Sequence, residues 1–222
     1  MEGLCHERVV RGFYFKTNLY FIVFEVSIIP ESSEKEKNMN RCEITEDTIY
    51  QCFAAASSGK TQGETATSFV DVEEYENQVM YPEFSRWARK AGYPKIAELF
   101  LKVAGEEKLH AVWLRKLYQD MGTPSRGEDT QRAIDALTTI QKNSDKLLAQ
   151  DPKTVIEKAL RVAIRVEERE YKDIYPSFRD QAIEEGNHEA AAVYQRVIDS
   201  EEQHAQWFHA ALKNLQANAV AA

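Results

Sequence analysis

The chain reads VEEYENQVMYPEF at residues 72–84 and VEEREYKDIYPSF at residues 166–178. From there Val72–Tyr118 aligns with Val166–Leu212 at a constant offset of 94, without a gap, and fifteen of the 47 positions are identical. Unrelated sequences of this composition would share about three. The identities are Val72, Glu73, Glu74, Glu76, Tyr81, Pro82, Phe84, Ala88, Gly92, Ala97, Val103, Glu107, His110, Ala111 and Trp113, each matched 94 residues later. The chain is one helical pair written twice, and each copy includes one Glu-x-x-His, Glu107 to His110 and Glu201 to His204.

Helical signals extend outward from this repeat. A long segment runs from beyond Ser57-Ser58-Gly59 to Gly92, and Pro94 opens a second helix that continues to about Met121. Gly122 to Gly127 is a breaker, and Thr130 to Gln150 reads as a single connecting helix. Asp151 caps and Pro152 opens a third long helix, which Gly186 ends; the fourth runs from about His188 to Gln216. The fold class is all-α: a four-helix bundle with a long crossover, the ferritin-like connectivity. Pro82 and Pro176 lie inside helices. A kink rather than a stop is expected at each, because the core periodicity continues past both.

The acids sit where a core belongs. Spacings of three and four place Phe69, Glu73, Glu76, Met80, Phe84 and Trp87 on one stripe. The second helix gives Leu99 or Phe100, Val103, Glu107, His110, Leu114 and Leu117. The third gives Ala163, Glu167, Glu170, Ile174 and Phe178, and the fourth Val193, Val197, Glu201, His204 and Phe208. Each apolar stripe is thus broken near its middle by two polar groups three residues apart. An unpaired buried carboxylate costs several kcal/mol. Six of them with two imidazoles call for multivalent cations, and two iron ions would offset the charge in whole or large part. Residues three apart share a helix face, so a Glu and a His at that spacing can bind one metal. The expected cage has eight ligands: Glu73, Glu76, Glu107, His110, Glu167, Glu170, Glu201 and His204.

A lone Glu-x-x-His carries little weight. With 26 Glu and five His, roughly 0.6 such pairs arise by chance. Glu185 to His188 is one: it straddles Gly186 and breaks no stripe. Two pairs in register, each 34 residues after a stripe-breaking Glu, match the ligand arrangement of di-iron and di-manganese bundles. Glu74 and Glu168 lie about 100° off the stripe and read as salt-bridge residues. Glu106 and Glu202 read as surface. Tyr81 and Tyr175 are open between packing and hydrogen bonding to a ligand carboxylate. Trp113 and Trp207 read as core.

Composition agrees. Lys plus Arg is 28 and Asp plus Glu 36 in 222 residues, a net charge of −8, which argues against a nucleic-acid partner. Cys5, Cys42 and Cys52 form no C-x-x-C pair, which suits a reducing compartment, cytoplasmic or plastid-like. Residues 1–44 form an irregular extension ahead of a bundle over 45–222. Within it Phe13 to Ile29 is too interrupted to span a membrane. It reads as a targeting presequence or a short strand-like extension, and its acids weigh against the first. Pro30 to Asn40 reads as a linker.

At these residues the chain resembles the rubrerythrin-type di-iron proteins of the ferritin-like superfamily. The likeness rests on Glu-x-x-Glu-x-x-x-x-Tyr-Pro in the third helix and Glu-x-x-His in the second and fourth, and it covers roughly Ser58 to Leu215. Two features depart from it. The paired C-x-x-C motifs of a rubredoxin-like centre are absent, so the external electron donor is unidentified. The first helix carries Glu76 as well as Glu73, and this near-symmetric site resembles the symerythrin branch. The resemblance implies two iron ions and a peroxidase- or oxidase-type reaction with hydrogen peroxide or dioxygen. It gives Glu170 a part in trading places with His110 as oxidation state changes, and Glu76 the same against His204. It leaves a homodimer open. Rival readings are a non-catalytic iron-storage protein, a manganese catalase, since Mn and Fe share these hard ligands, and a di-iron oxygenase.

Overall fold

A computed structural model of the chain describes residues 43–53, 69–120 and 128–220. Among these residues every regular element is helical. Helix α1 is Glu46–Phe53. Helix α2 begins as Phe69–Tyr75, passes through a π-helical segment, Glu76–Met80, and continues as Tyr81–Lys90. Helix α3 is Pro94–Asp120. The crossover holds α4, Glu128–Asp135, and α5, Leu137–Leu148. Helix α6 repeats the plan of α2 as Pro152–Arg169, a π segment Glu170–Ile174, and Tyr175–Glu184. Helix α7 is His188–Val220.

Local chemistry sets the ends of these helices. Gly92 and Gly186 have φ of 83° and 74°, a left-handed conformation that costs a side-chain-bearing residue about 1–2 kcal/mol. Each is followed by the paired bonds of a Schellman turn: Tyr93 N–H to Ala88 C=O at 2.8 Å, and Asn187 N–H to Ala182 C=O at 2.8 Å. The chain therefore reverses tightly, and α2/α3 and α6/α7 form two antiparallel hairpins. Asp151, extended at φ −155°, accepts from Thr154 N–H and so caps α6. At α1, Thr45 and Thr48 cap one another reciprocally.

The two prolines act as expected in one respect: the helices continue past them. The distortion takes a specific form. Proline has no N–H, and its ring crowds the carbonyl four residues back. The helix widens just upstream, where the N–H groups of Tyr81 and Tyr175 reach five residues back to Glu76 and Glu170. Both π segments begin on a stripe-breaking Glu.

The core is split into two apolar clusters. One contains Tyr81, Phe84, Trp87, Phe100 and Phe208. The other contains Phe69, Leu114, Tyr175, Tyr194 and Val197. The antiparallel hairpins place the broken stripes between them.

Two expectations need correction. Thr130 to Gln150 is two helices, with the break at Ala136. Each is fastened separately to α2: Thr130 Oγ1 donates to the Asp71 carboxylate at 3.0 Å, and Ser144 Oγ donates to Glu83 at 3.1 Å. Two anchors far apart in sequence set the bend. Ile174, Phe178 and Val193, and with them Trp113 and Trp207, are half-buried and pack against the two clusters rather than inside them. Phe84, the counterpart of Phe178, is fully buried because Phe53 of α1 covers it, with ring centroids 5.7 Å apart. The readings of residues 1–42, Ser57–Gly59 and Gly122–Gly127 fall outside the described residues.

Candidate metal centre

The glutamates and histidines of all four stripes meet in the layer between the two apolar clusters. Glu73, Glu107, Glu167, Glu201 and His204 are 0 % exposed, and Glu76, His110 and Glu170 are nearly so. Nδ1 of His110 lies 2.7 Å from Glu107 Oε2, 2.8 Å from Glu201 Oε1 and 3.3 Å from Glu73 Oε2. Nδ1 of His204 lies 2.9 Å from Glu201 Oε2, 3.0 Å from Glu107 Oε1 and 3.3 Å from Glu167 Oε2. The two rings stack with centroids 5.7 Å apart. Glu107 and Glu201 thus each turn one oxygen to one imidazole and the other oxygen to the second.

Ligand-type atoms form two groups, each within 4.8 Å: Glu73, Glu107, His110 and Glu201, and Glu107, Glu167, Glu201 and His204. Six of the eight expected residues therefore fall into two overlapping four-residue clusters. Glu76 and Glu170 are buried nearby but belong to neither group, and each keeps one oxygen without a hydrogen-bond partner. The same holds for both oxygens of Glu107, for Glu201 Oε1, for Glu73 Oε2 and for His110 Nδ1. The His110 contacts are short, yet the ring nitrogen is not aligned to make them hydrogen bonds. Buried polar atoms that converge without pairing are what a cation site needs, so these residues fit a metal pair.

Other buried acids show the contrast. Glu83 is neutralised by Arg86 at 2.5 Å and accepts from Trp87 Nε1 at 2.8 Å. Among the described residues, the ion pairs of Glu73, Glu107, Glu167 and Glu201 run only to the two histidines.

Around the cluster the two copies interlock. The Tyr81 hydroxyl donates to Glu167 Oε1, and the Tyr175 hydroxyl to Glu73 Oε1. Each tyrosine thus holds the glutamate of the other copy and turns its second oxygen inward. Glu74 pairs with Arg115, while Glu168 pairs with Lys172 and His209 at 3.1 Å. The rings of Trp113 and Trp207 pack on His110 and His204. Glu185 and His188 are exposed and remote from the site. Glu202 is exposed, but Glu106 is half-buried, with Oε2 3.0 Å from Nε2 of His204. The surface reading of Glu106 is corrected. Its partner lies across the bundle, out of reach of single-helix periodicity.

Metal-free, the cage balances its charge with protons. Burial first, then the neighbouring carboxylates, raises Glu73, Glu76, Glu167 and Glu170 well above the usual carboxylate range. Burial alone would lower both imidazoles, but the carboxylates around them override it and raise both. Burial would raise Glu107 and Glu201 too, and the imidazolium charges outweigh it and lower them. The imidazoles and the four outer carboxyls are thus shifted toward their protonated forms, and Glu107 and Glu201 toward the charged form.

A family model described as Rubrerythrin matches residues 72–213. The chain belongs to the rubrerythrin family. Membership makes it, at a coarse level, a redox protein of a family that binds a di-iron site. It is 37 % identical over 163 residues to symerythrin of Cyanophora paradoxa, covering 73 % of this chain and 89 % of that protein. It is 31 % identical over 147 residues to a rubrerythrin of Clostridium perfringens, covering 66 % and 68 % respectively. The crystal structure of dithionite-reduced symerythrin from Cyanophora paradoxa superposes with a TM-score of 0.62 at 30 % identity, over 80 % of this chain and 97 % of that one. The ferritin-like bundle of this rubrerythrin-family chain stands on that match.

Proposed function

We propose that the chain holds two iron ions and reduces hydrogen peroxide or dioxygen with electrons from an external donor. The observation that carries this reading is the shared pair Glu107 and Glu201, each with one oxygen at either imidazole. Both would be available to two metal ions, with Glu73 and His110 available to one and Glu167 and His204 to the other. When bound, the iron pair supplies the electrons for cleaving an O–O bond.

The residues do the rest. Tyr81 and Tyr175 fix the outer oxygens of Glu167 and Glu73, so the inner oxygens keep their aim. Glu76 and Glu170, buried with one unpartnered oxygen each, would be the groups able to take a proton or to serve as further anionic ligands. The apolar clusters on either side keep bulk water out of the layer.

The test is stopped-flow oxidation of the anaerobically reduced, iron-loaded protein. Peroxide should oxidise it far faster than anaerobic buffer alone, with two irons per chain. Equal rates would sink the proposal. Loading far above two per chain would point to storage, and oxygen evolution from a manganese-loaded form would point to a catalase.

A further inference from the structure

The two halves of the site differ at the outer edge of the imidazoles. Nε2 of His204, the nitrogen turned away from the cage, lies 3.0 Å from Glu106 Oε2 and 3.4 Å from Ser200 Oγ. The residue that matches Glu106 in the second copy, 94 positions on, is Ser200 itself. One copy therefore supplies a carboxylate where the other supplies a hydroxyl.

The surroundings make this difference stand out, because the rest of the environment is repeated. Lys102 lies 3.2 Å above the Trp207 ring, which packs on His204 at 5.6 Å. Its counterpart Arg196 lies 5.1 Å from the Trp113 ring, which packs on His110 at 5.5 Å. Cation, indole and imidazole recur in both halves, and the carboxylate does not. Glu106 is half-buried, with Lys102 Nζ 4.0 Å away, so it is partly shielded from water and held near His204.

We propose that Glu106 is a positioning residue that makes the two metal positions unequal, with the one at His204 the tighter. This rests on the two-metal reading above. A carboxylate that accepts the Nε2–H of a ligating histidine fixes its tautomer and ring orientation and makes the other nitrogen a better donor. Among the described residues the carboxylate contacts of His110 all run to Nδ1, so its outer nitrogen has no such partner, and hydrogen bonds to a charged acceptor are roughly twice as strong as neutral ones.

The experiment is anaerobic calorimetric titration of the metal-free full chain with Fe²⁺, paired with Mössbauer spectra of ⁵⁷Fe²⁺-loaded samples. The wild type should bind in two resolved steps and show two distinct quadrupole doublets. E106Q, which keeps the shape, and E106A should each weaken the tighter step about 10–100-fold, leave the weaker step unchanged and bring the doublets together. Two equal steps in the wild type, or variants that change neither step or both alike, would overturn the inference. A wild type that fails to bind two irons would instead overturn the two-metal reading.

Discussion

Glu107 and Glu201 lie between two imidazoles, and four more glutamates crowd the same layer. The consequences are protonic. Glu73, Glu76, Glu167 and Glu170 have raised pKa values in the folded chain, so their stabilising effect is whole below the ordinary carboxyl range and is lost as pH rises. His110 and His204 are raised too, so their contribution is whole below about pH 6.5 and is also lost upward. Glu107 and Glu201 run the other way, but they lose their contribution only as pH falls below the ordinary carboxyl range. The Tm of the metal-free protein should therefore fall between about pH 5 and pH 8. A Tm that rose over this window would contradict the proton balance. Metal binding should displace protons from the raised carboxyls and imidazoles, so affinity should weaken as pH falls. Calorimetry in buffers of different ionisation enthalpy counts the protons released, and a count near zero would contradict the scheme. Y81F and Y175F each leave a buried Glu oxygen without its donor. Each should cost about 1–3 kcal/mol in urea unfolding of the metal-free form. The burial of these eight residues was legible because they interrupt apolar stripes. Glu106 was not, because it meets His204 from the opposite hairpin.

Among the elements, the capped ends were legible and the bent ones were not. Gly92, Gly186 and Asp151 act through their own backbone or through a residue three positions away. D151A removes the acceptor for Thr154 N–H and should lower stability by about 1 kcal/mol, read as a shifted urea midpoint at unchanged slope. A change in slope would mean that the variant also alters what unfolds. The π segments are a different matter. Proline announces that the helix must adjust, but a kink and an inserted residue satisfy the same chemistry. Here the added residue brings Tyr81 and Tyr175 fully inward, onto the glutamates of the opposite copy. The break at Ala136 likewise depends on Asp71 and Glu83, both distant in sequence.

At the scale of the whole molecule, two apolar clusters are separated by a layer that is costly to bury without metal. Metal should therefore stabilise the folded chain by linkage. Free metal at about 100 times its Kd adds about 2.7 kcal/mol, so Tm should rise on loading and return on chelation. An unchanged Tm would show that the layer is not the binding site. By itself the sequence determined the duplication, the all-α bundle and the set of acids forced onto buried faces, because periodicity and burial cost act along one helix at a time. The tertiary structure decided which oxygen meets which nitrogen: the sharing of Glu107 and Glu201, the standing of Glu76 and Glu170 outside the two clusters, and the crossed tyrosines. The unequal partners of the histidines belong to the same class. These depend on distances between helices whose residues lie up to 102 positions apart in the chain, and no local spacing encodes them.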